Sequence, residues 1–306
     1  MGLKLAMHNW MRPEPIATTV ARLARCGYQG IEISGEPTLY DPGEVKGVLD
    51  QQGVSCWGSV TLMTSGRDLI SEDPYVRLGS IAYVRDCLSL AAALGGEIVT
   101  VIPSTVGKTA PMSSVENEWR WAVEGLRECQ DHAEKVGVRM AIEPLNRFET
   151  YFINRHDQAI ELADQVGGNC GVCLDFFHMN IEEEDWEQAL RATQAAGKLY
   201  DVHVADNNRM PPGQGAIDWA RAVEVVNDIG YGGYLTVEFV VPVDRTPRST
   251  RTEIGDATET DASEGLIKFL RDHGTGAVPE HYYDRYTQES ADHLRDSEKR
   301  LEATRA

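Results

Sequence analysis

Short apolar runs alternate with longer amphipathic stretches along most of the chain. Leu3–Met7, Gly30–Ile33, Val54–Ser59, Glu97–Ile102, Val138–Glu143, Gly171–Leu174, Leu199–Val204 and Tyr234–Glu238 are short enough to read as eight strands. Helical patterns lie between them. Pro13–Cys26 opens with a proline near the helix start and stops at Gly27. From Val115 to Val136, Trp119, Val123, Leu126, Cys129 and Ala133 recur at steps of three or four, and Gly137 ends the run. Gly53, Gly95, Gly197 and Gly230 also fall just before a strand, where a helix end wants a left-handed residue.

Strand and helix alternating eight times predict a parallel sheet, which right-handed crossovers close into a barrel. The fold class expected is α/β, a single (β/α)8 TIM barrel over residues 1–275 with a C-terminal helical extension over 276–306. An open doubly wound sheet would want a glycine-rich first turn, whereas MHNWMRPEP has no G-x-G-x-x-G. No nucleotide or flavin cofactor is expected. Pro242–Asp261 reads as polar and irregular, Ala262–Asp272 as the closing helix, and Pro279–Ala306 as a charged tail, helical in its second half.

The charge, 29 − 48 = −19, argues against a nucleic-acid partner, which would need its phosphates neutralised. It also counts against the DNA-repair nucleases that share such barrels. No apolar run spans a bilayer, and the N-terminus carries no secretory pattern, so a cytoplasmic location without membrane attachment is expected. Cys26, Cys56, Cys87, Cys129, Cys170 and Cys173 read as reduced core thiols. The lone C-x-x-C of Cys170 and Cys173 runs along a strand and reads as structural filler.

In such barrels the chemistry sits at the C-terminal ends of the strands. Strands five to eight each end in a metal-capable side chain: Glu143 in RMAIEP, Asp175 in GVCLD, His203 in LYDVHV and Glu238 in LTVEF. Successive spacings of about one βα unit would ring these four around one mouth. Three carboxylates and an imidazole suit Mn2+, with Mg2+ or Co2+ possible, better than a structural zinc site. A single carboxylate after a strand is usually a cap. Several together in a barrel mouth repel one another unless a cation joins them. Glu149, His178 and Arg209 lie on loops beside these ligands and are expected to contact substrate, as are His8 and Trp10 in the first loop.

The stretches AIEPLNRFET, CLDFFHMNIEE, HVADNNR–PGQGAIDW and GYLTVEF resemble the sugar isomerase/epimerase branch of the xylose-isomerase-like barrels, ketose 3-epimerases in particular. The match is specific over residues 138–240 and loose over the first 270. It implies one Mn2+-like ion on Glu143, Asp175, His203 and Glu238, with Glu143 and Glu238 as the acid/base pair. It also implies substrate contacts at Glu149, His178 and Arg209. The loops MHNWMRPEP and ISGEPTLYDP, the segment VEFVVPVDRTPRST and the extra tail look more like the large, catalytic subunits of bacterial C-glycoside deglycosylating enzymes. That second resemblance implies a small β-rich partner chain and 3-keto C-glycoside substrates.

Both resemblances imply the same first step, removal of a proton next to a keto group. The reading favoured at this stage is a carbon–carbon lyase that cleaves 3-keto C-glycosides by β-elimination, in a hetero-oligomer. The alternative is a ketose 3-epimerase or isomerase on free keto sugars, working as a homo-oligomer. Trp10, Arg12, Pro13, Pro15, Pro37 and Tyr40 make rigid, partly aromatic walls that suit a flat aryl group. A sugar-phosphate isomerase would want a phosphate cradle after strand seven or eight, for which PPGQG is a weak candidate. A non-catalytic sugar-binding barrel would not need a facing carboxylate pair.

Overall fold

The computed structural model describes residues 2–12, 14–64, 66–240 and 279–305. Pro13, Pro242–Asp261 and Ala262–Asp272 lie outside the described residues. In chain order the elements are β1 (Leu5–His8), α1 (Ile16–Arg25), β2 (Gly30–Gly35), α2 (Pro42–Gln52), β3 (Ser55–Thr61), α3 (Pro74–Ala93), β4 (Ile98–Val101), α4 (Val115–Val136), β5 (Arg139–Ile142), α5 (His156–Val166), β6 (Cys170–Asp175), α6 (Phe176–Glu182), α7 (Trp186–Ala195), β7 (Leu199–Val204), α8 (Trp219–Asp228), β8 (Leu235–Val237) and α9 (Glu280–Arg305). All eight strands are parallel neighbours in sequence order, and β8 closes on β1.

Local chemistry explains the element ends. Asp41 accepts from the Glu44 amide at 2.9 Å to start α2, with Pro42 in the first turn, and Gly53 ends the helix at φ 66°. Ser114 caps α4 and Gly137 closes it at φ 74°, while Ala122, Val123, Leu126, Cys129 and Ala133 form its buried stripe. The first helix starts at Ile16, later than the pattern suggested, with Pro15 in an extended conformation just before it.

Two breaks in register shape the barrel interior. Between β2 and β3, Ile31 pairs with Cys56 but Glu32 pairs with Gly58, so Trp57 is an extra residue. Between β6 and β7, Val172 pairs with Leu199 but Cys173 pairs with Asp201, so Tyr200 is extra. Such bulges re-aim side chains near the site they adjoin. Gly58 and Gly171 tolerate them because a Cβ there would meet the Ile98 carbonyl oxygen at 2.3 Å and the Tyr200 ring at 2.2 Å.

Helix α9 runs the length of the tail instead of only its second half and docks on α1 and α8. Tyr283 and Leu294 are buried against the chain's own barrel, Tyr286 packs partly there, and Tyr282 remains 41% exposed. Buried Arg22 on α1 pairs with both Glu14 and Asp284, and its guanidinium lies over the Tyr283 ring. The cysteines are buried and unbridged, as expected of core thiols. No helix among the described residues is long and apolar enough to cross a membrane.

Candidate active site

The parallel barrel brings the four strand ends together. Glu143 follows β5, where its amide donates to the Val101 carbonyl at 3.1 Å. Asp175 ends β6 and caps α6, accepting from the Phe177 amide at 2.7 Å. His203 lies within β7. Glu238 follows β8, its amide bonded to the Val204 carbonyl at 3.0 Å. One oxygen or nitrogen of each of these four buried side chains lies within 4.8 Å of the others.

Inside that cluster, His203 Nδ1 is 3.2 Å from Glu143 Oε1 and 3.4 Å from Glu238 Oε2. The Arg209 guanidinium bridges Asp175 and Glu238, reaching Glu238 Oε1 at 3.2 Å, and lies 4.6 Å over the Phe177 ring. Arg209 is the one described non-glycine residue with a left-handed backbone, φ 65°. Its amide bonds the Asp206 carbonyl at 2.8 Å and its carbonyl accepts from Val240 at 2.7 Å, which holds the conformation. An unusual backbone held this firmly at a catalytic-face residue fits a functional constraint.

The electrostatics divide the carboxylates. Burial would raise the Asp175 carboxyl, but Arg209, His178 and His203 outweigh it and hold it down at about 2. Burial keeps the Glu238 carboxyl above its ordinary value despite Arg209. Burial alone would lower the His203 imidazole, but Cys173, Glu32 and Glu143 raise it well above the usual range. Among the described residues, buried Glu238 Oε2 has no hydrogen-bond partner. An oxygen-rich donor set with one imidazole and a carboxylate oxygen that takes no hydrogen bond fits an Mn2+- or Mg2+-like ion.

Glu149 and His178 are joined through a residue the sequence pattern did not single out. The Asn146 backbone amide donates to His178 Nδ1 at 3.2 Å, and its side-chain amide lies 2.9 Å from the same nitrogen and donates to Glu149 Oε1 at 2.9 Å. His178 Nδ1 is therefore an acceptor, and the proton sits on Nε2, 3.8 Å from Asp175 Oδ2. His8 is fully buried, edge-on to His203 at 4.5 Å between ring centroids, and its Nε2 is 4.0 Å from Glu238 Oε2. Among the described residues neither His8 nitrogen has a hydrogen-bond partner, and burial pushes the imidazole well below its ordinary range. Trp10 is buried with its ring 6.5 Å from His8. Tyr40 in the second loop accepts from Asn9 at 2.9 Å and shares a 2.7 Å hydrogen bond with Ser34, so that wall is tied to the barrel.

Two further buried carboxylates, Glu32 and Asp201, border the cluster. Glu32 on β2 and Asp201 on β7 are fully buried and face His203. Burial and the Asp201 charge push the Glu32 carboxyl up to about 8. The D-x-H of LYDVHV carried a signal for Asp201, since residues two apart share a strand face. Cys173, expected as filler, lies close enough to His203 and Glu143 to form a second possible ligand group with them.

Residues 20–273 match the xylose isomerase-like TIM barrel model. The chain belongs to that family. Within it, the chain is 32% identical over 235 residues to a D-psicose 3-epimerase of Ruminiclostridium cellulolyticum, covering 72% of this chain and 76% of the relative. It is 29% identical over 239 residues to the Escherichia coli 3-dehydro-D-guloside 4-epimerase, covering 74% and 87%. The crystal structure of the D-psicose 3-epimerase of Clostridium cellulolyticum with D-tagatose superposes with a TM-score of 0.78 at 27% identity, over 96% of this chain and 99% of that one. These relatives of the barrel family are sugar epimerases by name, whereas the flanking loops had favoured a C-glycoside lyase.

Proposed function

We propose that this chain is a metal-dependent sugar epimerase that inverts a carbon next to a keto group. The observation that carries the reading is the convergence of Glu143, Asp175, His203 and Glu238 within 4.8 Å at the ends of four consecutive strands. Relatives named for epimerising D-psicose and a 3-dehydro-guloside support it over carbon–carbon cleavage. The substrate class is a keto sugar or a keto glycoside. On this reading the chain acts without the small partner chain of a deglycosylase, alone or as a homo-oligomer. Its buried free thiols suit the reducing cytoplasm.

Glu143, Asp175, His203 and Glu238 would hold the ion, Mn2+ by preference, with Mg2+ or Co2+ as substitutes. When bound, it supplies Lewis-acid polarisation of the keto group and offsets the negative charge that develops there. Epimerisation needs a base on each face of the carbon. Glu143 and Glu238 occupy the outer two of the four strands, with Asp175 and His203 between them. One carboxylate takes the proton and the other, as the acid, returns one to the opposite face. His178 donates through Nε2–H and Glu149 accepts, so together they hold a substrate hydroxyl. The Arg209 guanidinium lies beside Glu238 and offsets charge in the pocket. His8 and Trp10 close the pocket on the β1 side.

The test is product analysis after incubating the Mn2+-loaded protein with D-fructose, D-psicose, D-tagatose, a 3-keto glucoside and a 3-keto C-glycoside. An epimer of at least one keto sugar is expected. Release of a free aglycone without any epimer would replace this reaction with β-elimination.

A further inference from the structure

The side of His203 that faces away from the proposed ligand cluster is built as carefully as the side that faces it. His203 Nδ1 faces Glu143 and Glu238, whereas Nε2 is 3.2 Å from Glu32 Oε2 and 3.4 Å from Asp201 Oδ2. Asp201 is itself held from three directions. Its Oδ1 accepts from the Trp57 indole N–H at 3.0 Å and from the Val202 amide at 2.9 Å. Its Oδ2 accepts from Thr100 Oγ1 at 3.2 Å. Trp57, Thr100 and Asp201 stand on β3, β4 and β7, so the contacts cross the barrel interior.

Both register breaks serve this arrangement. Trp57 is the extra residue of the β3 bulge, and the β7 bulge immediately precedes Asp201. Without the first, the indole would not turn inward to meet Asp201. Trp57 also lines a cavity of about 270 Å3 at the opposite, N-terminal mouth of the barrel, with Lys4, Arg139, Tyr200 and Tyr231. The chain of contacts therefore runs from that mouth through the core to the catalytic face.

We infer that Trp57 and Asp201, together with Glu32, are positioning residues that lock His203 as the Nε2–H tautomer and leave its Nδ1 lone pair for the cation. The inference rests on the reading of His203 as a cation ligand. A ligating imidazole keeps its orientation and basicity through the acceptor on its other nitrogen, and loss of such a partner costs roughly 10–100-fold in metal affinity. Asp201 is an acceptor of fixed direction because Trp57 and Val202 occupy its other oxygen. Asp201→Asn cannot serve all these donors at once, since its NH2 group must face one of them. Trp57→Phe keeps an aromatic ring in place and removes only the N–H.

The experiment measures the Mn2+ dissociation constant by electron paramagnetic resonance titration of chelator-treated protein, with thermal melts run alongside. Trp57→Phe should weaken binding roughly 10-fold and Asp201→Asn roughly 100-fold. Tyr200→Phe lines the same mouth and loses only a surface hydrogen bond to Asn169, so its affinity should match the wild type. In the Mg2+-loaded wild type, 15N–1H long-range correlation should show His203 protonated at Nε2. That spectrum decides the matter if the variants fail to fold. Wild-type affinity in a folded Trp57→Phe overturns the inference and leaves the cation reading standing, whereas a proton on Nδ1 overturns both the inference and ligation of the cation through His203 Nδ1. Absence of Mn2+ binding in the wild type overturns the cation reading itself.

Discussion

Asn146 holds two proposed substrate contacts in one amide, and it does so at 2% exposure. Asn146→Ala removes the side-chain donor from Glu149 while the backbone bond to His178 survives. Loss of an oriented hydrogen bond of this kind costs about 1–3 kcal/mol, or roughly 5–100-fold in kcat/KM. Steady-state kinetics should show the loss with unchanged Mn2+ content, and unaltered kcat/KM would remove Asn146 from the substrate clamp. His156 gives a pH prediction at the same scale. Its hydrogen bond to Glu183 at 3.0 Å raises the imidazole above its ordinary 6.5. A raised folded-state value means stability that is fully present below pH 6.5 and lost as pH rises through the folded value. The pair is partly exposed, so the contribution is about 0.5–1 kcal/mol. Urea unfolding of wild type and His156→Gln should therefore differ at pH 5.5 and converge at pH 9. A gap that widened with pH would contradict the pairing.

At the scale of elements, strand ends were legible because a parallel barrel buries whole strands, and their apolar runs stand out from the helices between them. The clustering of Glu143, Asp175, His203 and Glu238 was legible because each strand end fell one βα unit after the last. Trp57 was not, because the bulge of β3 moves it out of alternation and no composition signal marks that slip, whereas Glu32 and Asp201 sit in regular register and only the D-x-H spacing pointed to the latter. The docking of α9 was hidden for a different reason. Its buried face includes Thr287, Ser290 and Ser297, which look polar in sequence. Each hydroxyl bonds a carbonyl one turn back, at 2.8, 2.8 and 2.9 Å, so the face that reaches the barrel is smooth and satisfied. Leu294 is fully buried on that face. Leu294→Ala should lower stability by about 2–4 kcal/mol in denaturant unfolding, whereas a change under 0.5 kcal/mol would mean that the helix does not dock as described.

At the scale of the whole molecule, the buried carboxylate and histidine cluster sits at one mouth of the barrel, and the contacts of Asp201 with Trp57 and Thr100 cross its interior. The acidic surface and the buried cluster of carboxylates are separate matters, the first bearing on partners and the second on the cation. The loops after β1 and β2 steered the reading towards an aryl glycoside because their residues suggest rigid walls. Trp10, Arg12 and Tyr40 are indeed held in place or buried, but such walls also close a pocket around a small sugar. Loop chemistry says how a pocket is shaped, while the strand ends say what reaction it runs. The most direct measurement follows solvent deuterium into the sugar. Metal-loaded protein, chelator-treated protein, Glu143→Gln and Glu238→Gln are each incubated in D2O with the ketose that the product screen identifies, and the carbon next to the ketone is followed by NMR. Deuterium should enter that carbon together with its epimerisation in the metal-loaded wild type. Chelation should abolish both, and each glutamine variant should slow them by about 100-fold or more. Full exchange in metal-free protein, or in both variants, would contradict the account.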